Sequence, residues 1–376
     1  LIREIYSSKD FIPSHEPIFV GNEKKYLIDV IDSSYVSSSG KYIENFEKKI
    51  RDFTKSKYAI ATVNGTSALH ASLKVLGVEE NTEVITQSFT FIATCNAIDY
   101  CGAHPVFLDI SRETLSLSAE ALGNFLDYNC FVDDDGNCIN KSTKRKISAC
   151  MPMHSFGFPA EITKIKKLCN MYNIPLIEDA AESLGSFYQS KHTGNFGDIA
   201  SLSFNGNKII TTGGGGMIIT NNKKLFNKAK HIISTSRKKH KWMIEHDDIG
   251  YNYRMPNINA ALGLAQIENI NQYLNIKREI AGIYIDWGLK NDCRFFEEPI
   301  NSSSNYWLNT MITESAIERD RFLRFTNSQN INTRAAWTPM HKLKMYEKCQ
   351  KFNLKNTDWA FERIVNVPSS VKLNTI

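Results

Sequence analysis

The chain has 376 residues, of which 42% are hydrophobic and 23% charged, and 45 basic against 40 acidic residues give a formal net charge of +5. This composition is typical of a globular protein, and the length suits one large domain plus a smaller one. The mild, scattered positive charge argues against nucleic-acid binding, and no apolar run approaches the ~20 residues that span a bilayer. We therefore expect neither nucleic acid nor membrane as a partner.

The eight cysteines form no CxxC pair and no Cys/His cluster at zinc spacing. They predict reduced thiols and a cytoplasmic protein, and the first residues carry no signal-peptide pattern. The polar segment 130–146 contains "DDDGNC", which resembles the start of a calcium loop but lacks the distal glutamate and the flanking helices. We expect a loop there and no metal site.

In chain order, residues 1–20 predict an extended arm, after which short apolar runs alternate with helical patterns. The expected strands cover residues 58–65, 83–88, 104–110, 146–154, 174–180, 199–204 and 216–220. The expected helices between them cover residues 66–77, 90–101 and 161–172. This alternation predicts an α/β fold with a mostly parallel sheet covered on both faces, in which ligands bind at the carboxyl ends of the strands.

The pattern changes after about residue 240. Residues 257–289 form one long helical pattern that could link two domains, and the remainder is typical of a smaller α+β domain. We expect an N-terminal arm over residues 1–20 and a large domain over 21–240. The linking helix and the small C-terminal domain would occupy residues 241–376.

Two residues point to pyridoxal 5'-phosphate (PLP) chemistry. Asp179 ends the apolar strand of "LIEDAAES", where a buried carboxylate needs a partner such as a pyridinium nitrogen. Lys208 lies in "SFNGNK" before four glycines, and a lysine amine can bond to an aldehyde cofactor and shuttle protons. Alternatively, Asp179 only caps the following helix and Lys208 is a solvated surface charge.

A phosphate site is predicted at "NGTSALH". Gly65, Thr66 and Ser67 stand at a turn from strand to helix, where free N–H groups and the helix dipole attract an anion. Ser203 could add a hydroxyl, and the glycines at 213–216 could let the backbone pass close to the cofactor. Alternatively, the turn is an ordinary helix cap and the glycines form a flexible hairpin turn.

Four fragments, "NGTSAL", "EDAAES", "SFNGNK" with "GGGG", and "GYNYRMPNINAALG", together resemble the DegT-type PLP-dependent sugar-nucleotide aminotransferases of fold type I. The resemblance runs from about residue 13 to residue 367. It implies a large PLP-binding domain, a smaller C-terminal domain and a homodimer with a shared active site. Some relatives remove a hydroxyl group and carry His at the lysine position, so Lys208 favours amino transfer.

The resemblance implies a role for each matching residue. Lys208 would bond to the cofactor and move the proton, and Asp179 would pair with the pyridine nitrogen. Glu182 would approach the ring hydroxyl, where relatives often carry Gln or His. The other cofactor-binding residues would be Phe91 stacked on the ring, Gly65, Thr66, Ser67 and Ser203 at the phosphate, and Asn252 at the phosphate of the neighbouring subunit.

Substrate contacts are implied for His154, Arg237, Tyr253 and His341, although His341 could equally be a satisfied surface histidine. Further fragments, such as "HEPIFVGNEKKYL" and "MPMHSFGFP", resemble aminotransferases of the legionaminic-acid and bacillosamine type. This second resemblance implies L-glutamate as the amino donor and a UDP- or GDP-linked 2-acetamido-2,6-dideoxy-4-keto-hexose as the acceptor. The product would be a 4-amino sugar for glycan biosynthesis. Amination at C3, a non-catalytic PLP-binding relative and a Rossmann-type nucleotide-binding protein are the alternatives.

Overall fold

A computed structural model describes residues 1–372. Its α-helices are α1 (Ile2–Tyr6), α2 (Glu23–Asp32), α3 (Lys41–Thr54), α4 (Gly65–Val75), α5 (Ile92–Asp99), α6 (Ala119–Asn129), α7 (Ile162–Met171), α8 (Lys223–Ile232), α9 (Asn257–Glu268), α10 (Ile270–Lys290), α11 (Ala316–Ser328) and α12 (Lys355–Arg363). Its strands are β1 (Tyr58–Thr62), β2 (Glu83–Gln87), β3 (His104–Leu108), β4 (Cys130–Val132), β5 (Cys138–Asn140), β6 (Ile147–Cys150), β7 (Ile177–Asp179), β8 (Phe187–Tyr188), β9 (Lys191–His192), β10 (Ile199–Ser203), β11 (Gly216–Thr220), β12 (Arg294–Phe295), β13 (Ser302–Ser303), β14 (Asn309–Ile312), β15 (Arg334–Ala335) and β16 (Ile364–Val367).

The main sheet is mostly parallel. Strand β2 pairs in parallel with β3 and β6, and β10 pairs in parallel with β7. Parallel bridges at Cys150–Leu176 and Met153–Asp179 connect β6 to β7, which gives the order β1-β11-β10-β7-β6-β2-β3. Only β11 runs antiparallel to its neighbours β1 and β10 in this set of strands. The fold class predicted from the alternation of strands and helices is confirmed.

Helices cover both faces of this sheet, as its continuous apolar strands predict. Every residue of β2 and β11 is buried. One core cluster joins Phe46 of α3 to Phe204 and to Ala261 of α9, and a second joins Leu69 of α4 to Ile218. Because both faces are packed, the free volume for a ligand lies at an edge, where the strands end.

The C-terminal region contains a separate antiparallel sheet in the order β12-β14-β16-β15. The long helical pattern over 257–289 was predicted as one helix, but two helices meet at Asn269. Helix α9 packs against α2 and α3, inside the core of the first sheet. We therefore propose that the second domain begins after α9 rather than at residue 241.

Two smaller expectations are corrected. The arm begins with the short helix α1 and is extended only after it, and segment 130–146 contains the hairpin of β4 and β5. Asp133 accepts hydrogen bonds from the N–H groups of Asp135 and Asn137, so its carboxylate closes the hairpin turn. Within residues 1–372 no cluster of His, Cys, Asp and Glu could hold a metal, and no helix is long and apolar enough to cross a bilayer.

Candidate active site

A cavity of about 450 Å³ opens where β1, β7 and β10 end. It brings together residues far apart in the sequence, and its size is that of a typical small-ligand site. Of the predicted residues, the cavity is lined by Gly65, Thr66, Phe91, Asp179, Glu182, Ser203 and Lys208. The residues predicted to act at the strand ends therefore line one and the same cavity.

Asp179 lies at the end of β7, where its carboxylate is buried and faces this cavity. Its Oδ2 accepts a hydrogen bond of 2.7 Å from the Thr94 hydroxyl, and its Oδ1 one of 3.2 Å from the Ala181 N–H. Burial raises the pKa of this carboxyl, because the ionised form loses hydration that two hydrogen bonds and Lys208 only partly replace. A protonated ring nitrogen in the cavity would complete this environment.

Lys208 lies in a turn after β10, closed by a 3.0 Å hydrogen bond from its N–H to the Asn205 carbonyl. Its Nζ donates to Glu182 Oε1 at 3.1 Å and lies 3.8 Å from the ring centroid of Trp307. Burial raises the pKa of Glu182 to about 7, although Lys208 and the Phe156 N–H oppose this rise. Lys208 is thus a largely enclosed amine inside the cavity, not a solvated surface charge.

The predicted phosphate site is the N-terminus of α4. Asn64 caps this helix, because its side chain accepts the N–H of Ser67 at 2.7 Å. A Cβ on Gly65 would approach Ser203 Cβ to 2.9 Å, so only glycine lets these two segments come so close. A Cβ on Gly216 would meet the carbonyl oxygen of Asn64 at 2.5 Å, which explains part of the glycine run. The result is a polar concavity with a positive helix end, suited to an anion.

These residues fit PLP. The carboxylate of Asp179 suits a pyridinium nitrogen, the amine of Lys208 suits an aldehyde, and the end of α4 with Ser203 suits a phosphate. Phe91 lines the same cavity, about half exposed, with its ring 6.3 Å from that of Trp337. Stacking on the cofactor ring stays a prediction for Phe91.

Ser67 and His154 do not line the cavity. Ser67 is buried, and its N–H is used by the helix cap. His154 is also fully buried, and its Nδ1 accepts the Ala160 N–H at 3.0 Å while its Nε2 bonds to Glu178 at 3.0 Å. Both ring nitrogens are therefore occupied inside the protein, which argues against the predicted contact between His154 and a substrate.

Tyr253 and His341 also lie outside the cavity lining. The Tyr253 hydroxyl bonds to His70 at 3.2 Å, and its ring stacks on Tyr251. His341 Nδ1 bonds to the Ser88 hydroxyl at 2.8 Å, which matches the alternative of a satisfied histidine. The side chains implied to contact the substrate therefore make contacts within the chain instead.

Arg237 and Asn252 are exposed residues of a segment outside the cavity of their own chain. Arg237 belongs to a basic surface cluster with Lys238, Lys239 and Lys241. The family resemblance implies that Asn252 acts in a neighbouring subunit, and that role stays a prediction. Arg237 does not line the cavity of its own chain.

The cavity also contains residues that no motif identified. Trp307, Trp337 and Arg334 come from the C-terminal region, and His15 comes from the N-terminal arm. Neither ring nitrogen of His15 has a hydrogen-bond partner among the described residues. Each lies far in sequence from the strand ends, so only the fold places it here.

Comparison with known proteins identifies the family. Residues 18–375 match the model of the DegT/DnrJ/EryC1/StrS aminotransferase family. The chain belongs to this family. It is 38% identical over 368 residues to the GDP-perosamine synthase of Escherichia coli O157:H7, which covers 97% of this chain and 94% of that protein. It is therefore a PLP-dependent aminotransferase, as the sequence resemblance implied.

Solved structures of the family share this fold. Helicobacter pylori PseC, an aminotransferase involved in the biosynthesis of pseudoaminic acid, superposes with a TM-score of 0.86 at 24% identity, covering 97% of this chain and 95% of that chain. The PLP-form of the sugar aminotransferase Spr1654 from Streptococcus pneumoniae gives a TM-score of 0.84 at 21% identity, over 97% of this chain and 95% of that chain. The fold-type-I architecture is thus confirmed.

Proposed function

We propose that this aminotransferase moves the amino group of L-glutamate to C4 of a nucleotide-linked 4-keto-6-deoxyhexose. The observation that carries the proposal is the enclosed Lys208 amine, 3.1 Å from Glu182, in one cavity with the buried Asp179 carboxylate. A relative named GDP-perosamine synthase supports a GDP-linked acceptor and a 4-amino product. The sequence fragments support a 2-acetamido-2,6-dideoxy form of the sugar, destined for glycan biosynthesis.

Bound PLP would supply an aldehyde that takes up the amino group and a ring that accepts the electrons of the adjacent C–H bond. Asp179 would hold the proton on the ring nitrogen. Lys208 would remove the α-proton of glutamate and, in the second half-reaction, return a proton at sugar C4. Because the first product leaves before the second substrate binds, and the amino group stays with the enzyme in between, the steady-state kinetics should be ping-pong.

For the glutamate carboxylates we propose Arg334 instead of Arg237. Among the described cavity-lining residues Arg334 is the one arginine, and it is an exposed residue of β15. A guanidinium can bind a carboxylate with two parallel hydrogen bonds. The basic segment 237–241, with Asn252, would instead reach a second copy of the chain, which is the proposed homodimer.

The test is a set of half-reactions followed by visible absorbance and product analysis. Excess glutamate should bleach the yellow band of the PLP-loaded protein, and the correct keto-sugar nucleotide should restore it. The acceptors to compare are GDP- and UDP-linked 4-keto-6-deoxyhexoses, with and without a 2-acetamido group, and a 3-keto isomer. Nuclear magnetic resonance of the product locates the amine. If only the 3-keto sugar restores the yellow band, the enzyme aminates C3 and not C4. If no sugar restores it, the proposed acceptor is wrong.

A further inference from the structure

Trp307 contacts the reactive lysine directly, yet no sequence motif pointed to it. Its ring centroid lies 3.8 Å from Lys208 Nζ, and the side chain is 4% exposed. A cation this close to a desolvated aromatic face is attracted by the partial negative charge that the ring quadrupole places there. The amine of Lys208 is therefore held between an indole face and the carboxylate of Glu182, which lies 3.1 Å from it.

Three hydrogen bonds hold Trp307, one at its indole and two at its backbone. Its Nε1 donates to the Asn207 carbonyl at 2.6 Å, and Asn207 directly precedes Lys208. The Trp307 N–H donates to Asn305 Oδ1 at 2.8 Å. The Trp307 carbonyl accepts from Lys277 Nζ at 3.2 Å. A ring tied to the turn that carries the lysine cannot move independently of it.

Lys277 makes this anchoring unusual. It is a buried residue of α10 whose Nζ donates to the carbonyls of Trp307 and Ser369. Burial lowers its pKa to about 7, because these neutral carbonyls replace hydration less well than a carboxylate would. Burying a lysine costs free energy of folding. A lysine that nevertheless binds the Trp307 carbonyl indicates that the geometry of Trp307 matters.

We propose that Trp307 is a positioning residue that, together with Glu182, provides the resting place of the Lys208 amine whenever that amine is not bonded to the cofactor. The inference rests on the role proposed for Lys208. The ring face and the carboxylate keep the amine inside the cavity, at the end of a side chain that would otherwise sample many rotamers. The amine is then held near the place where it acts in both half-reactions; its cationic form is the one held, and only its neutral form accepts the α-proton.

The cavity offers a matched control. Trp337 lines the same cavity and packs against Phe156 at 4.5 Å between ring centroids. No cation lies over its ring among the described cation–aromatic contacts, which involve other rings. Trp337→Leu therefore removes the same volume of indole without touching Lys208. Trp307→Phe keeps an aromatic face and loses only the bond to Asn207.

The first experiment measures access to the amine in PLP-free protein. A lysine-specific acylating reagent is added, and mass spectrometry gives the labelling rate of Lys208. Trp307→Leu should raise this rate about tenfold, Trp307→Phe should stay near wild type, and Trp337→Leu should not change it. Equal labelling in Trp307→Leu and wild type would overturn the inference, as would a failure of Phe to restore protection.

The second experiment separates positioning from substrate contact. Trp307→Leu should lower kcat about tenfold in both half-reactions with little change in KM, because one lysine serves both. A rise in KM for one substrate alone would overturn the inference by making Trp307 a substrate contact. If Lys208→Ala keeps full turnover, the proposed function itself fails. If Lys208→Ala is inactive and Trp307→Leu is unaffected, only the present inference fails.

Discussion

Glu178 and Asp179 are consecutive buried residues of β7 whose side chains point to opposite faces of the sheet. Glu178 accepts four hydrogen bonds, from His154 Nε2 and from three N–H groups within residues 194–197. Asp179 accepts two and faces the cavity. Burial would raise the pKa of Glu178, but the bonds from His154 and the backbone lower it overall, whereas the pKa of Asp179 is raised.

This contrast separates a structural carboxylate from a functional one. Glu178 is satisfied within the fold, so its charge stabilises the loop of residues 194–197 and leaves nothing for a ligand. Asp179 keeps an incomplete environment that a cationic ring nitrogen would complete. The sequence "EDAAE" alone does not reveal this difference, because both residues are acids at the end of one apolar strand.

The largest effect on activity should come from substituting Lys208, whose amine lies in the same cavity as Asp179. Lys208→Ala should lower turnover at least about 10³-fold, because no other lysine lines the described part of the cavity. Steady-state amino transfer from glutamate measures the loss. Lys191→Ala is the control, since Lys191 also lies over an aromatic ring, at 4.7 Å from Phe196, on the surface. Wild-type turnover by Lys208→Ala would remove this residue from the chemistry.

Asp179→Asn should lower kcat about 10²- to 10³-fold, because the amide no longer stabilises a protonated ring nitrogen. Stability should change little, since the new side-chain amide can still accept the Ala181 N–H and can donate to the Thr94 hydroxyl. The two measurements are kcat and the midpoint of urea unfolding. A large loss of stability with normal kcat would reverse the assignment of the two carboxylates.

Glu178→Gln should lower stability and leave kcat nearly unchanged, the opposite of Asp179→Asn. Its new NH₂ group would face backbone N–H donors, so the unfolding free energy should fall by about 3 kcal/mol. The kcat of the remaining folded, PLP-loaded protein should stay near wild type. Urea unfolding and cofactor-normalised kcat test the two parts. If kcat collapses while the unfolding free energy is unchanged, Glu178 takes part in catalysis and the comparison fails.

Substitution of Glu182 should change stability by no more than substitution of Glu178 does, and by an amount that depends on pH. The pKa of its buried carboxyl rises from 4.5 to about 7, so the folded PLP-free protein binds this proton more tightly than the unfolded chain does. The stability from this group is thus present below pH 4.5 and is lost as pH rises towards 7. Glu182→Gln should remove the loss, which amounts to at most about 3 kcal/mol.

Thermal unfolding of PLP-free wild type and Glu182→Gln at pH 5 and pH 8 measures this difference. Relative to the variant, the wild type should lose stability between the two values. Asp247→Asn, on the exposed segment, is the control variant, because the pKa of Asp247 is lowered and not raised. Parallel curves for wild type and Glu182→Gln would mean that the carboxyl of Glu182 is ionised throughout this pH range.

Local patterns predicted most of the sheet. The strands β1, β2, β3, β10 and β11 lie within the ranges expected from their apolar runs, and Lys208 and Asp179 lie in one cavity as their chemistry suggested. The side-chain contacts were harder to predict. The family resemblance implies that His154 contacts the substrate, but its two ring nitrogens bond to Glu178 and to the Ala160 N–H.

The residues from distant segments could not be predicted from periodicity. Trp307, Arg334 and Trp337 reach the cavity only because the C-terminal sheet packs against the main one, and His15 only because the arm does. The backbone of the arm is tied there by a 2.8 Å bond from the Ser369 N–H to the Ser14 carbonyl. Such long-range pairing leaves no local signal in the sequence.

The most direct test of the central claim locates the bond between protein and cofactor. The PLP-loaded protein is reduced with sodium borohydride, digested and mapped by mass spectrometry. We expect one pyridoxyl group, on Lys208, with none on the buried Lys277 or on the surface control Lys191. A pyridoxyl group on any other lysine, with Lys208 unmodified, would contradict the account of the site.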